Sequence, residues 1–382
     1  MRRAGLTIIA ILMVAFLSPP AWAVLPPETA STNQQLAGVG ARSIVIVGNL
    51  VWVAGDLTTA KVGAQSRTIK EVASFTKSGG FGPTSPALTG IVYKLVLGPD
   101  GWMYAAGSFT HSSGAKNLLR FNPATGAVDT TFKPANVQSL KALEVGSLIY
   151  AGGTRLTAYR FNGTKETAFK ASSLTTPTPR THAIAPAYRD LELGTDGWLY
   201  GACQCDVLSQ SGRARNVKAL VRLHPTNGTH DETFRPLPND DSDAFGHQVV
   251  PSSSGVYFAA GGSDFVARFL SGNDWQTDTS GSTQGLALTA DGQELIVGGH
   301  FEWASHNLQC GSNQNPTGVC ERRDRIMALD QGTGQLLSWN PQLSPLKYAG
   351  VWDVVVDGSS VHIAGEFNSV AGVAHKYYAR LG

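Results

Sequence analysis

The sequence is poor in charge, and neither sign dominates it. Charged residues make up 15% of the 382 residues. Two of the 30 basic residues, Arg2 and Arg3, lie within the first 23 residues, which contain no acidic residue, so the rest of the chain has 28 basic and 28 acidic residues. Nucleic acids and anionic membranes are bound by basic surfaces. The composition therefore argues against both kinds of partner.

Long apolar runs are also lacking, since a membrane-spanning helix needs about 20 apolar residues. The longest run covers residues 6–17, follows the two arginines and ends at Ser18-Pro19-Pro20. Ala21-Trp22-Ala23 then supplies small residues at the two positions that a signal peptidase reads. We predict a signal peptide over residues 1–23. The mature chain, residues 24–382, is expected to be secreted or extracellular without a membrane span, and association with the cell surface stays open.

The short motifs of common catalytic and phosphate-binding sites are absent. Neither Gly-x-Ser-x-Gly, nor His-Glu-x-x-His, nor the phosphate-loop spacing occurs. Nine histidines are scattered, and His300 and His362 fall in predicted strands, where a structural hydrogen-bonding role is expected. We therefore predict no catalytic residue, no cofactor, no metal site and no enzymatic activity, with calcium kept as the one alternative ion.

Cysteine is scarce, and the four residues present fall into two pairs. Cysteines of secreted chains are commonly paired in disulfides. We predict a disulfide between Cys310 and Cys320, which would close a loop of about 11 residues. Cys203 and Cys205 are close to the upper limit of disulfide geometry for an extended chain, so a strained bridge and two free buried thiols both stay open. Zinc is weakly supported, because no histidine lies at ligand spacing.

Glycine, by contrast, is abundant at 43 residues, and it marks an internal repeat. Short apolar strands end in a small residue followed by glycine at intervals that average about 52 residues. Repeats of roughly 50 residues are typical of propeller blades. The seven anchors of this repeat are Gly55, Gly107, Gly153, Cys203, Gly261, Gly299 and Gly365.

A second landmark follows the anchors: a strand ending in Arg-Phe, a tight turn, and an Asp-x-Thr-Phe-x-Pro segment. The copies, some of them shortened or degenerate, are Leu119–Pro134, Tyr159–Phe169, Val221–Pro236 and Ala328–Pro341. Each repeat thus predicts four strands, with proline at an outer edge where a missing donor does no harm. Residues 24–40 precede the first repeat and are expected to supply the strand that the seventh repeat lacks.

These patterns predict an all-β fold: a seven-bladed β-propeller of four-stranded antiparallel blades whose ring is closed by an N-terminal strand. The whole mature chain, residues 24–382, is expected to form this single domain and to be a monomer.

The repeat resembles the delta-60 repeat family of bacterial β-propellers, whose units pair a Gly-Gly-x-Phe strand end with an Asp-x-Ser/Thr-Phe-x-Pro strand. The closest matches are Ala364–Gly372 and Val128–Pro134, and the resemblance extends over nearly all of residues 41–382. It implies an extracellular or surface-attached bacterial protein. It supplies no catalytic residues.

The longest segments between predicted strands fall on one face of the predicted ring, whereas the turns of the other face are tight. They are Thr58–Arg67, Ala171–Ala187, Asp206–Asn216, Leu237–Gly246 and Glu302–Arg325. Binding residues usually lie on loops held by a rigid scaffold. We predict that this face binds a ligand, with neutral insertion as the alternative. The candidate side chains at this face are Trp303, Arg322, Arg323 and Trp352.

Counting back from each anchor places one residue per repeat at the mouth of the predicted central channel. These residues are Ser43, Lys94, Lys141, Asp190, Gln248, Gly285 and Asp353. The candidate binding residues among them are Lys94, Lys141, Asp190, Gln248 and Asp353. A solvated lining with ion pairs between blades is the competing interpretation.

The leading function is therefore a non-enzymatic binding module for an unknown extracellular protein or glycan. A calcium-dependent hydrolase or lyase with a site at the channel mouth is the first alternative, although calcium needs six to eight oxygen ligands and the mouth offers two carboxylates. A structural component of the cell surface is the second.

Overall fold

The computed structural model describes residues 25–176, 185–237, 243–270, 273–345 and 350–382. Within these ranges the chain forms strands and turns, with no helix. Accordingly, the described residues contain no apolar helix of the length that crosses a membrane. The predicted signal peptide, residues 1–23, lies outside the described residues and stays a prediction.

Seven antiparallel sheets, numbered here 1 to 7 along the chain, make up the frame of the described structure. In each sheet the first strand pairs with the second and the second with the third. The first strands are Gln34–Val47, Thr89–Leu97, Ala142–Val145, Ala187–Leu193, Phe245–Ser252, Thr283–Leu288 and Val351–Asp357. The second strands are Leu50–Val62, Met103–Thr110, Ile149–Gly152, Leu199–Gln204, Gly255–Gly261, Glu294–Gly299 and Ser360–Gly365. The third strands are Val72–Thr76, Lys116–Phe121, Arg155–Tyr159, Leu220–Leu223, Phe265–Phe269, Ile326–Asp330 and Tyr378–Leu381.

The hydrophobic core lies between neighbouring sheets. The first strand of each sheet contacts the first strand of the next, and that of sheet 7 contacts that of sheet 1. Trp52 of sheet 1 packs with Met103 of sheet 2, and Val53 of sheet 1 packs with Tyr378 of sheet 7. Both faces of the middle strands are therefore buried, which explains why these strands are continuous apolar runs rather than alternating ones.

The amino-terminal segment lies along the edge of sheet 7. Ala30 forms a bridge with Leu381, and the Ser31 amide donates a hydrogen bond to the Arg380 carbonyl at 2.8 Å. The indole nitrogen of Trp339 donates to the Pro26 carbonyl at 2.8 Å. The sequence predicted a strand at this edge from residues 24–40, whereas the structure has a single bridge there and places residues 34–40 in the first strand of sheet 1.

A bulge recurs in six of the seven described sheets, at the anchor glycine in sheets 1, 2, 6 and 7, at Cys203 in sheet 4 and next to Ala260 in sheet 5. At each bulge one residue of the first strand is left without a partner in the second, as between Ala41 and Ser43. A Cβ atom at Gly55 would lie 2.1 Å from the Gly40 carbonyl oxygen, and one at Gly365 would lie equally close to that of Gly350. Glycine is required at these two positions because the backbone of the bulged first strand lies too near for a side chain. The bulge also changes the direction of the side chain of the unpaired residue.

The predicted fourth strand is, in most described sheets, a single bridge rather than a ladder. Sheet 5 has a full fourth strand, Asn273–Thr279. In sheet 3 the third strand pairs with Ser172–Thr175. In sheets 1, 2, 4 and 6 it forms one bridge with the segment that follows it, as Phe121 does with Val128. The Asp-x-Thr-Phe motif explains this difference, because the Asp129 carboxylate accepts hydrogen bonds from the amide and hydroxyl of Thr131. These local bonds turn the chain away from the sheet.

The same motif builds an arginine cluster at the outer edge of sheet 2. Arg120 forms ion pairs with Asp129 at 2.8 Å and Asp100 at 3.1 Å. Its guanidinium carbon lies 5.0 Å from the ring centres of both Trp102 and Phe132. Burial alone would raise the pKa of Asp129, but its bonds to Thr131 and Arg120 outweigh burial and lower this pKa to about 2.

Sheet 4 repeats the cluster, and sheet 3 has a reduced copy. Arg222 pairs with Asp231 and lies 4.9 Å from the ring centre of Trp198. In sheet 3, Arg160 pairs with Glu166 at 2.8 Å, yet 58% of the Arg160 side chain is exposed. The complete clusters belong to the repeats with the complete motif.

The long predicted loops are β-hairpins, which the sequence did not indicate. In sheet 1 the second strand runs on to Val62 and pairs with Gln65–Thr68. The other hairpin strands are Val207–Gln210 with Arg213–Asn216, Trp303–His306 with Glu321–Arg322, Gly311–Ser312 with Asn315–Pro316, and Phe367–Val370 with Val373–Ala374. Three hairpins also pair with a segment that precedes their own sheet: Ser172–Thr175, Asn273–Thr279 and Leu343–Pro345. The hairpins therefore fasten neighbouring sheets, a role that free loops would not have. The predicted segments Ala171–Ala187 and Leu237–Gly246 lie partly outside the described residues.

Candidate functional site

A cavity of about 270 Å³ lies where the first strands begin, and every sheet contributes to it. We call it the channel-mouth cavity. Its lining residues are Arg42, Tyr93, Lys94, Lys141, Arg189, Asp190, His247, Gln248, Gln284, Trp352 and Asp353. All five channel-mouth residues predicted from the repeat are among them, and so is Trp352.

The strand bulges sort the lining into two tiers. The outer tier consists of the bulged residues and their counterpart in sheet 3: Arg42, Tyr93, Lys141, Arg189, His247, Gln284 and Trp352. The inner tier consists of the next residue of each strand: Ser43, Lys94, Ala142, Asp190, Gln248, Gly285 and Asp353.

The sequence count placed Lys141 in the wrong tier. Ala142 pairs directly with Gly152, and the first strand of sheet 3 has no bulge. Lys141 therefore lies one position earlier than Lys94 and Asp190, with which the count from the anchors had aligned it. The count failed because it assumed the same local geometry in all seven repeats.

Side chains of the inner tier bind the backbone of the neighbouring sheet. The Ile44 amide donates to the Asp353 carboxylate at 2.7 Å, and the Val249 amide donates to Asp190 at 3.2 Å. Ser43 and Gln248 accept the corresponding bonds from the amides of Leu95 and Leu286. This pattern favours the interpretation of Asp190, Gln248 and Asp353 as links between sheets.

Lys94 is surrounded by carboxylates, two of which sequence reasoning missed. Its amino group lies 2.7 Å from Asp190 Oδ1. Burial lowers the pKa of Lys94, but Asp190 and Asp353 outweigh it, so this pKa is raised overall. Burial also raises the pKa of Asp353 to about 6, and it raises the pKa values of Glu144 and Glu192.

Glu144 and Glu192 lie two residues beyond the inner tier in sheets 3 and 4. Side chains two residues apart in a strand share a face, so the signal for both was present in the sequence. Among the described residues, no group of three or more metal-ligating side chains is placed to hold a metal ion.

Arg42 of the outer tier has an acidic partner, although its buried Nε forms no hydrogen bond among the described residues. It forms an ion pair with Glu366, and its guanidinium carbon lies 4.2 Å from the ring centre of Trp352. The Trp352 indole nitrogen also donates to Glu366 at 3.1 Å. This triad leaves Arg42 with one counterion and with one face of the indole covered.

Lys141 and Arg189 differ from Arg42, because neither has a carboxylate partner in the described part of the chain. Arg189 donates one hydrogen bond to Gln204 Oε1 at 2.8 Å, and its buried Nε has no partner there. The Lys141 amino group lies 5.9 Å from the ring centre of Tyr93. Burial, followed by the charges of Arg189 and Arg42, lowers the pKa of Lys141 to about 8.

His247 and Gln284 complete the rim of the cavity. The ring centre of His247 lies 5.9 Å from that of Trp352. Burial, reinforced by the Arg189 charge, holds the pKa of His247 well below its usual range, so the ring is neutral at physiological pH. The Gln284 amide lies 3.4 Å from Nδ1 of His300. The rim therefore combines cations with neutral aromatic and amide groups.

Of the predicted loop residues, only Trp352 lines the cavity. Trp303 and Arg322 face each other across the strands of a hairpin, and Arg322 pairs with Asp324 at 2.9 Å. Arg323 is buried and donates to the Leu337 carbonyl at 3.0 Å, a structural contact rather than a free binding group.

The hairpin tip reaches the cavity rim through a residue that the sequence did not single out. Asn313 donates to the His300 carbonyl at 2.9 Å and accepts from the Glu302 amide at 2.8 Å. His300 in turn contacts Gln284, which lines the cavity. The elaborated face and the channel-mouth cavity are therefore continuous.

Both cysteine pairs lie at bonding distance. The Cα atoms of Cys310 and Cys320 are 5.7 Å apart, and those of Cys203 and Cys205 are 5.4 Å apart. Of the two alternatives for Cys203 and Cys205, the structure has the bridge. The Cys310–Cys320 bridge lies within the tip that approaches the cavity.

The described residues form an all-β fold in which each sheet packs on the next and the last on the first, the arrangement of propeller-type proteins. Residues 98–132 match a family model described as a domain of unknown function (DUF5122) β-propeller. This match covers the second strand, the third strand and the whole Asp-x-Thr-Phe motif of sheet 2. No curated protein sequence matches the chain.

Solved structures give distant likenesses. The extracellular domain of the putative hybrid two component system BT4673 from B. thetaiotaomicron is 13% identical, with a TM-score of 0.48 over 91% of this chain and 39% of that one. The WD40 β-propeller domain of Doa1 is 11% identical, with a TM-score of 0.48 over 92% and 96% of the two chains. The computationally designed Ika8 protein is 13% identical, with a TM-score of 0.49 over 91% and 98%. The chain thus spans about two fifths of the first of these structures, and no functional conclusion follows from such likenesses.

Proposed function

We propose that this chain is a secreted, non-enzymatic binding module whose ligand site is the channel-mouth cavity together with the hairpins around it. In this proposal the seven sheets are the blades of a closed propeller of the delta-60 repeat type, fastened by the amino-terminal segment on sheet 7. The chain acts as a monomer.

One observation supports the proposal above the others. All seven sheets send a side chain into one cavity, and two cations of its outer tier have no carboxylate partner among the described residues. A rigid scaffold that converges polar and aromatic groups on a concave site is the usual form of a binding site. Two cysteine pairs at bonding distance agree with an oxidising, extracellular setting.

The hairpins add a second line of support. Asn313 bonds the tip of the longest hairpin to His300, which contacts the lining residue Gln284, so the tip is linked to the cavity rim. The alternative of neutral insertion does not account for this contact.

Binding of the purified protein to arrays of glycans and extracellular proteins tests the proposal. In one variant a short glycine-containing turn replaces residues 307–320, which leaves the paired strands Trp303–His306 and Glu321–Arg322 in place. We expect this variant to lose binding to every array hit. The matched control, Ala124→Lys, changes an exposed turn at the opposite ends of the strands and is expected to bind normally.

If Ala124→Lys lost binding and the hairpin variant bound normally, the binding site would lie on the opposite face. Release of product from a bound glycan, abolished by a calcium chelator, would instead favour the hydrolase or lyase. Retention of all array hits by both variants would contradict the proposed site.

A further inference from the structure

The outer tier of the cavity has an excess of positive charge. Arg42, Lys141 and Arg189 are gathered there with one carboxylate, that of Glu366, and Glu366 is already paired with Arg42. By contrast, the well-buried Arg120 and Arg325 each have an acidic partner. A desolvated cation without a counterion is unfavourable. Such unpaired cations are often found in ligand sites, where the ligand supplies the missing negative charge.

From this imbalance we propose that the channel-mouth cavity binds the carboxylate of an acidic sugar, a uronate, between Lys141 and Arg189. The inference deepens the proposed function and rests on it. It names the chemical class of the ligand and the two side chains that recognise it.

The charges beneath the outer tier select a singly charged group. Asp190 and Asp353 line the floor of the same cavity, and Lys94 neutralises only one of them. A group with two negative charges would meet this floor at close range, whereas one carboxylate is matched by the two free cations above it. Arginine and lysine both donate strong hydrogen bonds to carboxylates.

The remaining lining suits a hydroxylated ring rather than an aliphatic acid. Tyr93, the neutral His247 and Trp352 present aromatic surface, and Gln248 and Gln284 present amide groups. Aromatic side chains offer a flat apolar body together with polar atoms at their edges, and amides offer both donors and acceptors. A sugar ring has the complementary mixture of C–H faces and hydroxyl groups.

The volume of the cavity sets the size of the ligand. At about 270 Å³ it falls just below the range of roughly 300–1,000 Å³ that is common for ligand sites. It therefore accepts one sugar unit, either a free acid or the terminal unit of an acidic glycan whose next units would lie against the hairpins.

Isothermal titration of the mature protein with four probes tests this inference. The probes are galacturonate, trigalacturonate, galactose and inorganic sulfate. We expect both uronates to bind, and galactose and sulfate to bind at least about tenfold more weakly, since a hydrogen bond to a charged group is worth about a factor of ten or more. Tighter binding of trigalacturonate would identify a glycan end as the source, and equal binding would identify the free acid.

Two variants that each remove one positive charge distinguish recognition in the cavity from general electrostatic attraction to the protein. Lys141→Gln is expected to weaken uronate binding at least about tenfold. Lys133→Gln removes the same charge from an exposed position next to the Asp-x-Thr-Phe motif of sheet 2. It is expected to change uronate affinity by less than about twofold.

Equal weakening by both variants, or sulfate binding as tight as uronate binding, would overturn the inference. So would failure of both uronates to bind at millimolar concentration. If neutral glycans or proteins still bind in a manner that depends on the hairpin, the proposed function stands without this ligand class.

Discussion

Arginine has opposite roles in two regions of this molecule. At the outer edge of sheet 2, Arg120 has two carboxylate partners, two aromatic neighbours and a hydrogen bond to the Phe161 carbonyl. At the channel mouth, Arg189 has one amide partner and a buried Nε without any. The first arrangement is complete by itself and stabilises the sheet. The second is incomplete, which is what a ligand site requires.

The difference follows from where the partners lie in the sequence. Asp129 is nine residues from Arg120 within one repeat, so every complete copy of the motif brings its own counterion. The outer tier takes one residue from each of seven sheets, and no motif pairs them. A repeat can therefore specify its own stability, whereas the character of the channel mouth is set by residues that differ between repeats.

The largest effect is expected at the outer edge. Arg120→Ala leaves Asp129 and Asp100 without their cation and removes the contacts with Trp102 and Phe132, so the free energy of unfolding should fall by about 3 kcal/mol. Arg160→Ala removes an exposed, solvent-screened pair and should change the free energy of unfolding far less. Urea denaturation measures both. Equal losses in the two variants would erase the distinction between complete and reduced clusters.

The next effect concerns the buried carboxylates below the mouth. Burial raises the pKa of Glu192, so the folded state holds a proton that the unfolded state releases at lower pH. Stability is then full below the unfolded pKa and falls as the pH rises above it. Glu192→Gln should raise the free energy of unfolding at pH 8 by about 1–2 kcal/mol and leave it almost unchanged at pH 4. Thermal unfolding at the two pH values measures this, and a larger gain at pH 4 would contradict the assignment.

A smaller effect on stability is expected at the outer tier. Arg189→Gln removes a charge that burial disfavours, as shown by the lowered pKa of Arg189. The free energy of unfolding should therefore stay within about 0.5 kcal/mol of the parent or increase. Uronate affinity should fall at least about tenfold in the same variant. Strong destabilisation by Arg189→Gln would place Arg189 in the same structural class as Arg120.

The smallest effect is a pH dependence of binding. Lys141 has a pKa lowered to about 8, so its charge is present at pH 7 and mostly lost at pH 9. Uronate affinity should fall severalfold over this interval in the parent and stay flatter in Lys141→Gln. Titration calorimetry at the two pH values measures it. The other titratable side chains that line the cavity are Arg42, Tyr93, Lys94, Arg189, Asp190, His247 and Asp353. A parallel fall in both proteins would assign the titration to one of them.

The sequence predicted the all-β repeat frame and six of the cavity residues, because glycine anchors and strand periodicity are local signals. It did not indicate Arg42, Arg189 and His247 of the outer tier, since a bulge moves them into the cavity without changing the apolar pattern. Glu144 was missed although it shares a strand face with the inner tier. The hairpins were interpreted as loops because their strands are short and polar, and pairing with the preceding sheet stabilises them.

The pairing of Ala30 with Leu381 has a consequence for how the protein is made. The two residues are far apart in the sequence, so this pair cannot form until sheet 7 has been synthesised. Contacts between such distant residues form slowly, because a very long segment must first be brought to closure. The amino-terminal segment is therefore unpaired during synthesis of the intervening sheets, and a chaperone that binds it would cover it over that period.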